Sequence, residues 1–353
     1  MNLRIEKLRE EMSSMNLDGM IVNNPTNIRY LTDLQAEGTL LINEKENIFI
    51  TDSRYIEDVN QVLTIEDEIN ALNVSDLTEN DYLSFFQLCI RVGFEERFIT
   101  YSDYNNIVMK YRLKEAVETE QIIEKMRVIK DEREIENIET ACNITDSCFL
   151  YLLDFIRVGM TEKQVKYEIQ KFFLENGADG EAFDTIVASG VNTSKPHAIP
   201  TDKVIENGDA VLIDFGAKYN GYCADMTRTI FVGNISDEAR NLYDLVFKTQ
   251  ARAFSKMKND ADGRMIANNV KNEFYFNKYD LIHALGHGVG MDVHERPVLS
   301  TRSNCILKEN MVVTNEPGIY IPGKIGIRIE DTVLINNMTA TNLTKSNKNL
   351  FVI

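Results

Sequence analysis

Two segments of this 353-residue chain each place a pair of acidic residues inside an apolar stretch that is typical of a β-hairpin. In residues 211–230, two β-rich runs flank a Tyr-Asn-Gly turn signal. A two-residue loop at 219–220 would set Asp214 directly opposite Asp225, where like charges destabilise the strand pair unless something compensates them. The segment therefore predicts a positive group between the two carboxylates.

The second segment, residues 316–331, repeats this arrangement. A three-residue Pro-Gly-Lys loop at 322–324 would set Glu316 directly opposite Glu330. A single acid in a strand more often faces solvent or joins an ion pair, but two opposed pairs in apolar sequence are hard to explain in that way. One extra loop residue would shift either register, so both pairings are expectations.

Histidines add a third observation. The chain has only four of them: His197, His283, His287 and His294. Three fall within residues 283–295, among glycines that we expect to bring the backbone close to a bound group. A phosphate-binding loop is disfavoured, because no Gly-Lys-Ser/Thr follows and the segment is not basic.

Carboxylate oxygens together with an imidazole suit Mn²⁺, Fe²⁺, Co²⁺ or Zn²⁺, and four acids are more than one such ion needs. The pattern therefore predicts two divalent metal ions. Ions ~3.5–4 Å apart can share a hydroxide and polarise a carbonyl, which is the chemistry of hydrolysis.

Composition narrows the remaining choices. A formal net charge of −17 disfavours nucleic acid and anionic membrane surfaces as partners. The five scattered cysteines contain no Cys-x-x-Cys pair and indicate reduced thiols. The N-terminus is charged and amphipathic, and no run approaches the ~18 apolar residues of a membrane span, so we expect a cytoplasmic protein.

Hydrophobic periodicity predicts two parts. The first third is α/β, with a helix over 3–16, a strand at 20–22, a hairpin at 39–42 and 47–50, and a strand at 91–94. A long helical connection follows over 120–155, with a domain boundary near residue 124. Helices around 162–176, 236–258 and 262–274 then alternate with strands that carry the acids and histidines.

The strings around these residues resemble a known family. They are Leu-Ile-Asp-Phe-Gly, Ala-Asp-Met-Thr-Arg-Thr, His-Ala-Leu-Gly-His-Gly-Val-Gly, Asn-Glu-Pro-Gly-Ile-Tyr and Gly-Ile-Arg-Ile-Glu-Asp. In this order, over about residues 184–333, they resemble the pita-bread metallopeptidases, and most closely the Xaa-Pro peptidases, aminopeptidase P and prolidase. The resemblance implies an α/β N-terminal domain over 1–123 and an α+β pita-bread (creatinase/aminopeptidase-like) catalytic domain over 124–353.

The resemblance also implies a role for each metal ligand. Asp214 would bind one ion, His287 and Glu316 the other, and Asp225 and Glu330 both. Glu316 would also serve as the general base. Mn²⁺ is the expected metal, with Co²⁺, Zn²⁺ or Fe²⁺ as alternatives.

Four further residues receive catalytic roles from the same resemblance. His197 and His294 would hydrogen-bond the substrate and the tetrahedral intermediate, and His283 would line the pocket. Arg328 shares a strand face with Glu330 and would pair with the ligand carboxylates. The implied substrates are small peptides with proline in the second position, and the N-terminal domain implies a homodimer.

One departure bears on the subfamily. Some prolidases carry an arginine just after a His-Glu-x-Pro string, whereas here Arg296 fills the variable position inside it. This favours an Xaa-Pro aminopeptidase, with an Xaa-Pro dipeptidase as the alternative. The other readings are a non-catalytic pita-bread binding protein, a creatinase-like hydrolase, and a single-zinc protease using His283 and His287; the retained ligand set disfavours the first two, and the absence of His-Glu-x-x-His the third.

Overall fold

The computed structural model of the protein describes residues 2–353 and forms two compact units, Met1–Met126 and Arg127–Ile353. Among the described residues, none of the helices combines the length and the apolar character needed to cross a membrane.

The first unit is a six-stranded mixed sheet with helices. The helices are α1 Leu3–Ser14, α2 Pro25–Thr32, α3 Ile56–Val62, α4 Glu79–Phe85, α5 Tyr101–Tyr111 and α6 Ile122–Met126. The strands are β1 Gly19–Val22, β2 Thr39–Asn43, β3 Asn47–Thr51, β4 Ile69–Asn73, β5 Arg91–Phe94 and β6 Glu115–Glu118. Their order is β4-β3-β2-β1-β5-β6, and β2 is antiparallel to both of its neighbours. The predicted opening helix, the hairpin and the strand at 91–94 are confirmed.

The predicted helical connection over 120–155 is in fact two helices. α6 ends at Met126, and the next helix begins after Asp131, whose carboxylate accepts a hydrogen bond from the Glu134 backbone N–H at 2.8 Å. The Glu134 side chain in turn accepts from the Asp131 backbone N–H at 3.0 Å. This reciprocal capping box starts a new helix where the periodicity alone suggested a continuous one.

The second unit is α+β. Its helices are α7 Glu132–Phe155, α8 Glu162–Glu175, α9 Asp237–Phe254 and α10 Gly263–Phe276. Its strands are β7 Gly180–Glu181, β8 Ile186–Ser189, β9 Ala210–Phe215, β10 Ala217–Tyr219, β11 Tyr222–Cys223, β12 Met226–Phe231, β13 Gly286–Gly288, β14 Glu295–Leu299, β15 Val312–Asn315, β16 Gly318–Ile321, β17 Ile325–Arg328, β18 Asp331–Ile335 and β19 Ala340–Asn342.

These strands form antiparallel sheets backed by helices. Their orders are β11-β10-β7, β12-β9-β8, β14-β13-β15-β18-β19 and β16-β17. Phe149 of α7 and Phe173 of α8 pack with Phe215 of β9 in one buried cluster. Val246 of α9 and Phe274 of α10 are buried in another. The predicted helices of this unit are therefore confirmed, and they pack on the strands that carry the acids.

The register of the second acidic hairpin is confirmed. Ile321 pairs with Ile325 around a three-residue loop, and farther along Asn315 pairs with Asp331. In this register Glu316 lies opposite Glu330, one position from the Asn315–Asp331 pair. Both residues fall in the short break between the pairing of β15 with β18 and the pairing of β16 with β17.

The register predicted for the first hairpin is wrong. The turn is Asn220-Gly221, both with positive φ, so that Tyr219 pairs with Tyr222. Asp214 consequently pairs with Thr227 and not with Asp225. A type I′ turn matches the right-handed twist of the strands, and it requires positive φ at both central residues, which the Asn-Gly pair tolerates better than Tyr-Asn.

Candidate metal centre

Four of the five predicted metal ligands lie at or next to the end of a strand. Asp214 is the penultimate residue of β9, and Asp225 directly precedes β12. Glu316 directly follows β15, and Glu330 directly precedes β18. His287 is the central residue of β13. Strand ends leave room for a side chain to turn out of the regular pleat, and five chain segments thereby converge.

Three of these residues form a compact group. Asp225, His287 and Glu330 present ligand atoms that all lie within 4.8 Å of one another. His287 Nε2 is 3.5 Å from Asp225 Oδ2 and 3.4 Å from Glu316 Oε1. The structure thus brings Glu316 to the same imidazole.

Asp214 borders this group with one oxygen paired and one not. Its Oδ2 accepts a hydrogen bond from Arg328 Nη2 at 2.6 Å. Its Oδ1 is buried and accepts no hydrogen bond from the described residues 2–353. A buried carboxylate oxygen without a donor costs free energy unless a cation compensates it, so this atom is available as a metal ligand.

The electrostatics of the group also call for a cation. Burial, followed by the charges of Glu330, Asp214 and Glu316, raises the pKa of Asp225 well above its usual range. Burial and the nearby Glu316 and Asp214 do the same to the pKa of Glu330. Burial lowers the pKa of His287, which keeps the imidazole neutral and its lone pair free. Divalent ions compensate the repulsion between crowded carboxylates, and a donor set of four carboxylates and one imidazole fits them.

Arg328 holds the edge of the site. Its side chain is 3% exposed and donates to Thr227 Oγ1 at 2.9 Å and to the Tyr320 hydroxyl at 2.5 Å, in addition to Asp214. It also reaches the backbone carbonyl of Pro196 at 3.3 Å. Burial opposes its charge, but the neighbouring Tyr320 and Asp214 outweigh burial and raise the pKa of Arg328 above its ordinary value. It is therefore a fixed positive charge beside Asp214.

Three threonines that the sequence analysis did not single out orient the acids. Thr227 Oγ1 donates to Glu330 Oε2 at 2.5 Å, and Thr314 Oγ1 donates to Glu316 Oε1 at 3.3 Å. Thr332 Oγ1 donates to the Asp225 carbonyl at 2.7 Å. Each threonine stands two residues from an acid along the chain, so it shares that acid's strand face. A threonine two residues from an acid in the same strand is the sequence signal that could have identified these three residues.

The histidines surround the group at different depths. The rings of His287 and His294 have centroids 4.3 Å apart. His283 Nδ1 is 3.9 Å from Glu316 Oε2, and its Nε2 is 3.1 Å from the hydroxyl of Tyr320. Burial raises the pKa of Tyr320 to about 12, so the phenol stays protonated. Tyr320 is a further site residue that the sequence analysis quoted only inside a motif.

His197 is exposed and follows Pro196, the residue whose carbonyl Arg328 contacts. Burial lowers the pKa of both His283 and His294, and each of them lies close enough to His197 to interact with it electrostatically. The structure therefore places all four histidines around one site.

Two glycines of the histidine segment are required by the packing of neighbouring strands. A Cβ at Gly286 would lie 2.1 Å from the Thr314 carbonyl oxygen, and one at Gly288 would lie 2.0 Å from that of Arg296. The close approach is to the neighbouring strands β15 and β14. These glycines let β13 fit between two strands and so fix the position of His287.

A buried ion network lies behind His294. Glu295 accepts from Arg127 Nη2 at 2.6 Å and from Lys130 Nζ at 2.5 Å. Arg127 also donates to Asp292 at 2.7 Å. The network anchors the loop that carries His294, and no local sequence signal pointed to it.

Matches to known protein families cover both units of the chain. A sequence model of metallopeptidase family M24 matches residues 136–337, and a model of the creatinase/prolidase N-terminal domain matches residues 4–129. The chain is 35% identical to the Xaa-Pro dipeptidase of Pyrococcus furiosus over an alignment of 356 positions, which covers 99% of this chain and 100% of that protein.

Solved structures agree in fold over the whole length. An Xaa-Pro dipeptidase from Bacillus anthracis superposes with a TM-score of 0.94 at 35% identity, over 99% of each chain. An X-Pro aminopeptidase from Thermotoga maritima superposes with a TM-score of 0.90 at 32% identity, also over 99% of each chain.

Proposed function

The chain belongs to metallopeptidase family M24, and we propose that it is an Xaa-Pro dipeptidase that acts with a pair of divalent ions. Hydrolysis is supported by the proximity of Asp225, His287 and Glu330, whose ligand atoms lie within 4.8 Å of one another. Glu316 lies beside the same imidazole. The choice of a dipeptide substrate is supported by relatives described as Xaa-Pro dipeptidases that match the chain along its full length. It replaces the preference for an aminopeptidase that Arg296 suggested.

We assign Asp214, Asp225, His287, Glu316 and Glu330 as the residues that hold the ions. Bound divalent ions supply Lewis acidity and lower the pKa of water toward neutrality. Mn²⁺ is the ion we propose to test first, because carboxylate-rich sites with one imidazole suit it.

The protein's own groups then handle the proton. Glu316 lies beside both His287 and His283 and takes a proton from the attacking water. It returns this proton to the proline nitrogen as the amide bond breaks. Thr314 holds one Glu316 oxygen, which leaves the other free for the transfer.

His294 and His197 act on the substrate. We propose that they donate hydrogen bonds to the substrate and to the oxyanion that develops on the scissile carbonyl. A tertiary Xaa-Pro amide offers no N–H, so the proline ring has to be recognised by shape. His283 and Tyr320, which pack edge to face 5.6 Å apart, would form one wall of that pocket.

The test is a matched set of four peptides given to the Mn²⁺-loaded protein: Ala-Pro, Ala-Ala, Ala-Pro-Ala and Ala-Ala-Ala. We expect the kcat/KM for Ala-Pro to exceed each of the others by about tenfold or more, since each 1.4 kcal/mol of recognition gives a factor of ten. Preference for Ala-Pro-Ala would make the protein an Xaa-Pro aminopeptidase. Equal cleavage of the alanine peptides would leave only a metal-dependent peptidase without proline selectivity.

We also propose a homodimer in the cytoplasm, by analogy with the family layout. Sedimentation equilibrium of the full chain tests the dimer, and a single species of monomer mass would contradict it.

A further inference from the structure

A buried carboxylate outside the candidate metal centre has an unusually complete set of hydrogen-bond donors. Glu162, the first residue of α8, is 0% exposed. Its Oε1 accepts from the Ser189 backbone N–H at 2.7 Å, the Ser189 hydroxyl at 2.9 Å and Asn192 Nδ2 at 3.1 Å. Its Oε2 accepts from the Thr201 backbone N–H at 2.9 Å and the Thr201 hydroxyl at 2.6 Å. One side chain thus joins the two ends of the segment 189–201.

The carboxylate form is the one that fits these donors. Burial opposes ionisation of Glu162, but hydrogen bonds from Thr201, Asn192 and Ser189 outweigh it and hold the pKa below its usual value. Only a group with two accepting oxygens can receive all five donors. A neutral amide would set its own N–H against a donor on one side.

The segment between these anchors leads to the candidate metal centre. A 3₁₀ turn at Gly190–Ser194 packs on β17, where the Thr193 hydroxyl accepts from the Gly326 N–H at 2.8 Å. A Cβ at Gly326 would lie 1.9 Å from the Thr193 carbonyl oxygen, so the fit is tight. Next to this turn, Pro196 offers its carbonyl to Arg328.

His197 lies within this segment, four residues before Thr201. Across the described part of the chain, its ring forms no hydrogen bond with another residue, and it is exposed. Its position is therefore set by the backbone that carries it, and the backbone is fastened by Glu162 on one side and by β17 on the other.

We propose that Glu162 is a positioning residue that fixes the segment 189–201 and thereby presents His197 to the substrate. The inference rests on the proposed function in so far as His197 acts in hydrolysis. The fastening of the segment is independent of that function and can be measured separately.

Three variants of the full-length, metal-loaded protein separate these points. Glu162→Gln keeps the shape and removes the charge. Thr201→Val removes the hydroxyl that donates to Glu162 Oε2. It is the milder change and serves as the second variant if Glu162→Gln does not fold. Asp202→Asn is the matched control, because its ion pair with Lys163 joins the same helix to the residue directly after the segment, but both side chains are exposed, at 81% for Asp202 and 57% for Lys163.

The first readout is hydrogen exchange of the backbone amides in residues 189–201. We expect faster exchange there in Glu162→Gln and Thr201→Val, and unchanged exchange in Asp202→Asn. Unchanged exchange in both of the first two variants overturns the proposal, whatever their activity.

The second readout is hydrolysis of Ala-Pro with bound metal measured in parallel. Glu162→Gln should lower kcat on the order of 10- to 100-fold with little change in KM or metal content, because a catalytic group displaced by ~1 Å loses up to ~10²-fold. Thr201→Val should lose about three- to tenfold, by the same argument from a smaller displacement.

The double variant decides whether the loss acts through His197. In a His197→Ala background, Glu162→Gln should cost no further activity, since residues that act as a unit are non-additive. Equal losses in both backgrounds would overturn the positioning role. If His197→Ala alone kept full activity, the role assigned to His197 under the proposed function would fall, and the exchange result would still decide whether Glu162 fastens the segment.

Discussion

Replacing Arg328 by methionine should destabilise the protein more in the presence of a chelator than in the presence of divalent metal ions. The guanidinium is buried and donates to Asp214, Thr227, Tyr320 and the carbonyl of Pro196 at 2.5–3.3 Å. Removing one partner of a buried ion pair costs about 3–5 kcal/mol, because the remaining charge stays buried without compensation. We expect a loss of that size in the free energy of unfolding of the metal-free protein.

Bound metal should recover part of this loss, and two opposing effects decide how much. Without Arg328, Asp214 is less well oriented, which weakens metal binding by about 10- to 100-fold, or roughly 1.4–2.8 kcal/mol. The same change removes a positive charge that repels the ions. At ~5 Å and an effective dielectric constant of ~20, that repulsion is about 3 kcal/mol per unit charge and twice as large for a divalent ion. The charge effect is the larger one.

The assay is urea unfolding followed by far-ultraviolet circular dichroism, in chelator and in saturating Mn²⁺. The transition to compare is the one that shifts with metal in the unsubstituted protein, because the chain has two units. The control is Arg228→Met: Arg228 is 1% exposed and pairs at 2.7 Å with Asp331, which is not an assigned metal ligand, and it contacts the ligand Glu330 only at its backbone carbonyl. The free energy of unfolding lost in Arg228→Met should be the same in chelator and in Mn²⁺. An equal loss for Arg328→Met in chelator and metal would refute the placement of ions beside Asp214.

Three further outcomes follow from the site. Asp214→Asn and His287→Ala should each lower the bound metal measured by elemental analysis and abolish turnover while circular dichroism stays unchanged; full activity in either would remove it from the ligand set. His294→Ala should keep its metal and lose on the order of 10²–10³ in kcat, the usual effect of removing a well-placed donor; loss of metal would make it a ligand instead. Burial opposes the ionisation of Asp331, but the positive charges of Arg228 and Lys348 outweigh burial and lower the pKa of Asp331 in the folded protein. Its stabilising contribution is therefore complete above the unfolded pKa of about 3.9 and is lost as the pH falls below it, so Asp331→Asn should flatten the acid limb of a plot of Tm against pH. An unchanged acid limb would contradict this assignment.

The two acidic hairpins show what the sequence could and could not predict. The loop at 322–324 was placed correctly, and the register that brings Glu316 opposite Glu330 follows from it. The predicted loop of the first hairpin lies one residue before the observed one, and in the observed register Asp225 lies opposite Gly216 and not opposite Asp214. An error of one loop position shifts the pairing by two residues, which keeps a side chain on the same face. The two acids were therefore assigned to the correct face in spite of the wrong pairing.

Other parts of the site depend on contacts between distant segments. Arg127 and Glu295 are separated by 168 residues, and nothing in the sequence around either one indicates the other. The same holds for Glu162 and Thr201, which are joined by the packing of α8 on the strand before the segment. Periodicity and turn signals describe local structure, and such partners appear only when the chain is folded.

The proposed role of the two ions is tested by the hydrolysis of Ala-Pro by metal-free protein as Mn²⁺ is added back, with bound metal measured at each step. We predict no proline release in chelator and full activity when a pair of ions is bound to each chain, because the proposed reaction depends on both ions. Full activity in the metal-free protein, or no proline release at any metal loading, would show that the protein is not a metal-dependent Xaa-Pro dipeptidase.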